Sequence, residues 1–365
     1  MELSGVKSDK WTDRLAVDGQ VYIAGPCSAE TRDQVLTTAR LLQGGKVKIF
    51  RAGVWKPRTR PGNFEGVGAV ALPWLREVYE QTGLLPAVEV ANAVHVEKVL
   101  EYGIPVLWIG ARTTTNPFAV QEIADALRGN DELIVLIKNP VNPDIDLWTG
   151  ALERIHKAGI KSLGLVHRGF SVYRREYYRN VPGWQIPVEI KTRFPHIPLL
   201  NDPSHICGRR DCIENIAQTA LDLQFDGFMI EVHPDPDHAW SDAAQQITPD
   251  TLNRLLEKLI IRHPGFTGTE VLEKLNELRR EIDKTDGELL RVLKKRLDLT
   301  GRIATEKRLR NVAVLQPARW KEIRENVSRL ARELGLEETT VLNLYGEIHQ
   351  ASIRLQEKII NQKEK

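Results

Sequence analysis

The sequence predicts an α/β chain: a closed (β/α)8 TIM barrel followed by a smaller all-α domain that dimerises. Three observations carry this. From residue 20 to about 262, eight short runs rich in Val, Ile and Leu alternate with amphipathic stretches of helical length. Each run is apolar enough to be covered on both faces, as barrel strands are. Beyond "RHPGFTG" (262–268) no comparable strand follows, and apolar residues recur in steps of three and four.

The strands are expected at 21–27 (VYIAGPC), 47–53 (VKIFRAG), 85–90 (LPAVEV), 106–112 (VLWIGAR), 133–139 (LIVLIKN), 162–168 (SLGLVHR), 197–202 (IPLLND) and 225–232 (FDGFMIEV). Helical patterns such as "LPWLREVYEQTG" and "CIENIAQTALDLQ" separate them, and "TPDTLNRLLEKLIIR" follows the eighth. No GxGxxG follows the first strand, which counts against a Rossmann sheet. The barrel is placed at 1–262. A linker at 263–269 holds Pro264, Gly265 and Gly268, and the helical domain takes 270–365. There Thr267 and Glu270 have capping-box spacing, and Val271, Leu275, Leu278, Ile282, Leu289, Leu293 and Leu297 mark one long helix to about 309. After "NVAVLQPAR" come two more helices, "WKEIRENVSRLARELG" and "EETTVLNLYGEIHQASIRLQEKIINQ".

A chain of 365 residues can build two cores, and its net charge of +2 provides no field to gather nucleic acid or coat a membrane surface. The start has no apolar stretch after its charges, and eighteen apolar residues never run together, so a cytoplasmic protein is expected. No recognisable regulatory segment precedes the first strand, so control is expected to act through the tail. Three cysteines are an odd number and argue against a disulfide framework; Cys207 and Cys212 read as core or loop residues.

Barrel enzymes place their chemistry at the C-terminal ends of the strands. Cys27 follows strand one, and His205 follows strand seven in "NDPSHICGRR". Strand eight carries Glu231, with Asp242 in the next loop. Strands seven, eight and one are neighbours in a closed barrel, so these four converge. A thiolate, an imidazole and two carboxylates suit a divalent ion, with Mn²⁺ placed first and Fe²⁺, Co²⁺ or Zn²⁺ also accommodated. The other strand ends supply Arg51, Lys56, Arg58, Thr59, Arg112, Lys138 and Arg168, a focused trap for a multiply anionic small molecule. Arg60 reads as solvated. Lys138, embedded in "LIVLIKNP", needs an anion.

"AGPCS", "RAGVWKPRT", "IGART", "DPSH" and "MIEVHPDP…SD" together resemble 3-deoxy-D-arabino-heptulosonate 7-phosphate (DAHP) synthase of type I, β subgroup, over residues 20–262. The resemblance implies condensation of phosphoenolpyruvate with erythrose 4-phosphate. It makes Cys27, His205, Glu231 and Asp242 the metal ligands and assigns Arg51, Lys56, Arg112, Lys138 and Arg168 to phosphoenolpyruvate. Lys56 also stabilises or protonates the developing alkoxide, and Arg58 and Thr59 take the aldose phosphate. The "KPRT" string separates this family from the sister family that makes the eight-carbon sugar acid.

Taken alone, the tail reads as a coiled-coil dimerisation module. Some of its polar residues point further. Arg296 and Lys307 are eleven apart, which returns to within about 20° of one helix face. Arg279 is seventeen residues before Arg296, about 25 Å away and turned aside, so it joins such a site only from a second chain. Ser352 and Gln356 are i, i+4 neighbours. The set resembles the all-helical class of chorismate mutase, whose two chains intertwine. By that resemblance Arg279 of the partner subunit, Arg296 and Ser352 hold the carboxylates, Lys307 and Gln356 face the ether oxygen, and Arg319 is a further site arginine. Where that family commonly has Arg-Glu, the carboxylate contacting the ring hydroxyl, this chain has Arg319-Trp320, with Gln316 upstream as a substitute. The expectation is therefore a bifunctional homodimer acting on phosphoenolpyruvate, erythrose 4-phosphate and chorismate. The alternative is a synthase with a non-catalytic dimerisation and regulatory tail.

Overall fold

Eight parallel strands close a barrel in simple chain order in the computed structural model, which describes residues 6–56, 62, 64–173, 177–262, 265 and 269–361. They are β1 (Val21–Gly25), β2 (Ile49–Arg51), β3 (Leu85–Val90), β4 (Val106–Ile109), β5 (Ile134–Lys138), β6 (Ser162–His167), β7 (Leu199–Asn201) and β8 (Gly227–Glu231). All eight expected runs hold a strand, and β2, β5 and β8 end on Arg51, Lys138 and Glu231 themselves. β1 pairs with β2 on one side and with β8 on the other, where Gly25 stands opposite Glu231. That register sets the exit of β1 beside the carboxylate that ends β8.

Side chains alternate along each strand. Val21, Ile23, Ile49, Trp108, Leu136 and Met229 belong to a buried cluster of strand residues that includes Trp11, while Tyr22, Ala24 and Phe50 pack in the larger core with the surrounding helices. Trp11, from a five-residue helix before β1, is fully buried and donates from Nε1 to the Leu163 carbonyl at 2.8 Å. It fills the end of the barrel where β6 begins, so chemistry is left to the other end. The outer helices start on side-chain caps: Thr31, Asn92, Asp144 and Thr248 each accept a first-turn backbone N–H.

The structure divides into two units at residues 264/265. The second is all helical: Thr269–Leu309, Pro317–Glu333 and Glu338–Ile360. Leu278, Ile282, Leu289, Leu290, Val292 and Ile303 stay exposed on its long helix. Thr267, Pro264 and Gly268 lie outside the described residues.

Cys207 and Cys212 are buried in the core, as expected, but the expectation that they stand unpaired is corrected. Cys207 and Cys212 form a disulfide, their Cα atoms 5.9 Å apart. The short helix Pro203–Cys207 ends at Gly208, whose φ of +67° turns the chain back toward Cys212, the N-cap of the next helix. An odd cysteine count hid this pair because the third, Cys27, is free.

Candidate functional site

The stretch after β1 is shaped by Gly25, at φ +148°, where a Cβ would run into the Arg51 carbonyl oxygen of β2. Pro26 follows, and Cys27 is then fully buried at the barrel mouth. Its Sγ lies 3.3 Å from Asp242 Oδ2 and 3.1 Å from Lys56 Nζ. Cys27, Glu231 and Asp242 each offer a ligand atom, all within 4.8 Å of one another. His205 approaches from the β7 side, its Nε2 3.7 Å from Glu231 Oε1 and its Nδ1 2.8 Å from Asp202 Oδ2.

Buried atoms without partners test whether this set fits a metal ion and an anion. Glu231 Oε1 is 3.1 Å from Arg51 Nη2 in an ion pair, yet it accepts no hydrogen bond among the described residues. Arg51 Nε and Nη1 are buried donors with no partner there either. Such groups are ordinarily satisfied, so an acceptor-side cation and a donor-side anion both suit them. The mixture of sulfur, nitrogen and oxygen donors matches a borderline divalent ion.

The electrostatics agree. Burial pushes the Cys27 thiol up to about 12, helped by the Glu231 and Asp242 charges and opposed by Lys56 and Arg51. Ionisation there needs a strong local cation. Burial also acts to raise Asp242, but Arg179, His205 and Lys56 outweigh it and hold the carboxyl well below the usual range. Arg168 is lowered to about 10, chiefly by burial.

Lys56, Arg112, Lys138, Arg168 and Arg179 line one cavity with Glu89, His205 and Asp242. Lys138 has its anion inside the protein: Nζ lies 2.6 Å from Asp202 Oδ2, both buried. Arg58 and Thr59 lie outside the described residues. Arg179 was not singled out from sequence. It sits between β6 and the next helix, where its Nη1 donates to Asp242 Oδ1 at 3.0 Å and to Gln245 Oε1 at 2.5 Å. Gly208 leaves room for it, since a Cβ there would strike the Arg179 side chain. Asp202, Gln245 and Gln246 were also missed. Gln245 Nε2 donates to Glu231 Oε2 at 2.7 Å, and Gln246 Oε1 accepts from the Cys27 backbone N–H at 2.9 Å. The one available signal was Lys138, whose burial demanded a carboxylate such as Asp202. Arg179 offered none, because nothing in the long loop after β6 sets it apart from the other arginines there.

In the helical unit Arg296 Nη1 donates to Ser352 Oγ at 2.9 Å, and Lys307 Nζ donates to the Val314 carbonyl at 2.5 Å. Ser352, Lys307 and Gln356 are buried, and Gln356 Oε1 has no hydrogen-bond partner among the described residues. The single chain leaves Arg279, Gln316 and Arg319 exposed. Arg279 is 3.4 Å from Asn276 Oδ1, and Arg319 is bonded to Glu322 at 2.7 Å.

The sequence profile of the DAHP synthetase I family matches residues 14–261. The chain belongs to the DAHP synthetase I family. Residues 278–357 match chorismate mutase type II, which makes the helical unit of this DAHP synthase a chorismate mutase domain. Phospho-2-dehydro-3-deoxyheptonate aldolase of Thermotoga maritima is 32% identical over 237 residues, covering 65% of this chain and 68% of that protein. The solved structure of a DAHP synthase from Thermotoga maritima superposes with a TM-score of 0.59 at 30% identity, over 66% of this chain and 68% of that one. The tail is 34% identical to 4-amino-4-deoxychorismate mutase of Streptomyces venezuelae over 88 residues, 24% of this chain and 85% of that protein. DAHP synthase and chorismate mutase domains in one chain make a bifunctional enzyme of aromatic biosynthesis, a transferase and an isomerase.

Proposed function

We propose that the barrel condenses phosphoenolpyruvate with erythrose 4-phosphate to give DAHP and inorganic phosphate, using a divalent ion, Mn²⁺ first, held by Cys27, His205, Glu231 and Asp242. The observation that carries this is the grouping of Cys27, Glu231 and Asp242 within 4.8 Å, beside the unpartnered edge of Arg51. When bound, the ion supplies Lewis-acid polarisation of the aldehyde. The chain's own residues do the rest. Arg51, Arg112, Lys138 and Arg168 bind the enol phosphate and orient its C3, Arg58 and Thr59 take the phosphate of the aldose, and Lys56 donates a proton to the forming alkoxide. Water adds at C2, and phosphate leaves.

The helical domain converts chorismate to prephenate. Arg296 and Ser352 hold the carboxylates together with Arg279 of the partner subunit, while Lys307 and Gln356 stabilise charge on the ether oxygen. The exposed apolar residues of the long helix support a homodimer through this domain. Domain limits of 1–262 and 270–365, a cytoplasmic setting and feedback by prephenate or chorismate through the tail complete the proposal. Among the described residues no helix is long and apolar enough to cross a membrane.

The test is phosphate release by the full chain from both substrates, before and after chelation, with Mn²⁺ restored. Loss on chelation and recovery with Mn²⁺ are expected. Full turnover by demetallated protein, or turnover with arabinose 5-phosphate alone, would overturn the synthase assignment. Chorismate consumption by the same preparation reads the mutase.

A further inference from the structure

Trp320 and His349 join the middle and last helices of the tail, their rings stacked with centroids 4.0 Å apart and planes within 7°. Stacking on one face fixes the imidazole plane, so its nitrogens reach out only along the ring edge. His349, Ser352 and Gln356 stand at i, i+3 and i+7 and therefore share one face of the last helix. Arg296 bonds Ser352 on that face. Burial, aided by the nearby Arg296 charge, holds His349 below its ordinary pKa.

His349 Nε2 is buried without a hydrogen-bond partner among the described residues, as is Gln356 Oε1. Two unpartnered polar atoms on one face, beside an arginine, are costly to leave dry and mark a surface made for a polar ligand. Their chemistry divides the work. Arg296 supplies the positive charge a carboxylate needs. The unpartnered imidazole edge offers a donor or an acceptor in the ring plane, matched to a hydroxyl. Trp320 presents ring carbons and a single indole N–H, so it cannot accept a hydrogen bond from that hydroxyl itself.

We propose that His349, held in plane by Trp320, reads the ring hydroxyl of the mutase substrate and determines specificity at that position. This rests on the mutase reading above. It replaces Gln316 as the residue expected to take over from the missing carboxylate.

The experiment uses the full-length protein with chorismate and with its analogue bearing hydrogen in place of the ring hydroxyl. For His349→Leu, kcat/KM for chorismate should fall by about 30-fold or more, because a site built around a hydroxyl depends on that bond. For the deoxy analogue the change should stay below about threefold. His349→Gln, which keeps a polar edge, should recover part of the loss, and circular dichroism verifies folding of each variant. Equal losses with both substrates, or none with chorismate, would overturn the inference. If wild-type protein turns over neither substrate, the mutase reading fails separately. Calorimetric binding of prephenate then decides: weaker binding by His349→Leu sustains the contact, and unchanged binding removes it.

Discussion

Lys56 Nζ lies 3.1 Å from Cys27 Sγ, so the exits of β1 and β2 meet in one polar contact at the barrel mouth. Burial opposes ionisation of the thiol, and Lys56 favours it. Replacing Lys56 by Met should move the thiol's ionisation further upward in the metal-free protein, read from thiolate absorbance against pH. Synthase turnover should fall by roughly 10² to 10⁴, the usual contribution of a positioned proton donor. Lys56→Arg should keep the thiol near its wild-type behaviour while still losing turnover. A Lys56→Met protein with wild-type rates would remove the residue from the mechanism.

Arg51 and Glu231 form an ion pair at 3.1 Å with both side chains buried. Removing one partner leaves the other charge uncompensated, so Arg51→Met should destabilise the barrel by about 3–5 kcal/mol. Replacing both, with Arg51→Met and Glu231→Leu together, should restore much of that stability while abolishing turnover. Denaturant unfolding followed by tryptophan fluorescence measures the two effects.

His167 is fully buried among Phe170, Trp184 and Phe225. Its Nε2 contacts the Pro182 carbonyl at 2.6 Å and its Nδ1 contacts the Asn201 amide at 3.2 Å, which assigns the proton to Nε2. Burial lowers its pKa from 6.5 to about 4. The unfolded chain therefore takes up a proton at a higher pH than the folded one. The neutral ring's contribution is complete above pH 6.5 and is lost as pH falls toward 4. The loss is at most about 3 kcal/mol. His167→Gln should flatten the fall in unfolding midpoint across this window; an unchanged slope would assign the acid sensitivity elsewhere.

Arg279 and Arg296 are predicted to act in one site from different chains. Arg279→Ala and Arg296→Ala proteins should each be inactive as mutases. Unfolded together and refolded, they should recover about a quarter of wild-type activity, since half the dimers are mixed and each mixed dimer keeps one intact site. No recovery would mean that each site is built from a single chain.

The barrel was legible because its signals are local. Apolar runs of strand length, broken by turn residues and interleaved with helical patterns, carry their own spacing, and chain order alone makes strands seven, eight and one neighbours in a closed cylinder. That reasoning turns Cys27, His205, Glu231 and Asp242 toward one side of the mouth, because each lies at a strand end or in the loop that follows one. It read the strand runs too long at several ends, since polar loop residues following an apolar run leave no mark of where pairing stops.

What the sequence determined by itself was the order of elements and the kinds of chemical group placed at the mouth. Only the tertiary structure decided which of those groups meet. Arg179 reaches Asp242 across 63 residues, and Lys138 reaches Asp202 across 64. Cys207 meets Cys212 because a left-handed glycine turns the chain between them. Trp320 meets His349 because two helices pack. The physical reason is the same in each case: such contacts depend on where loops close and how helices lie together, and neither leaves a repeating pattern along the chain.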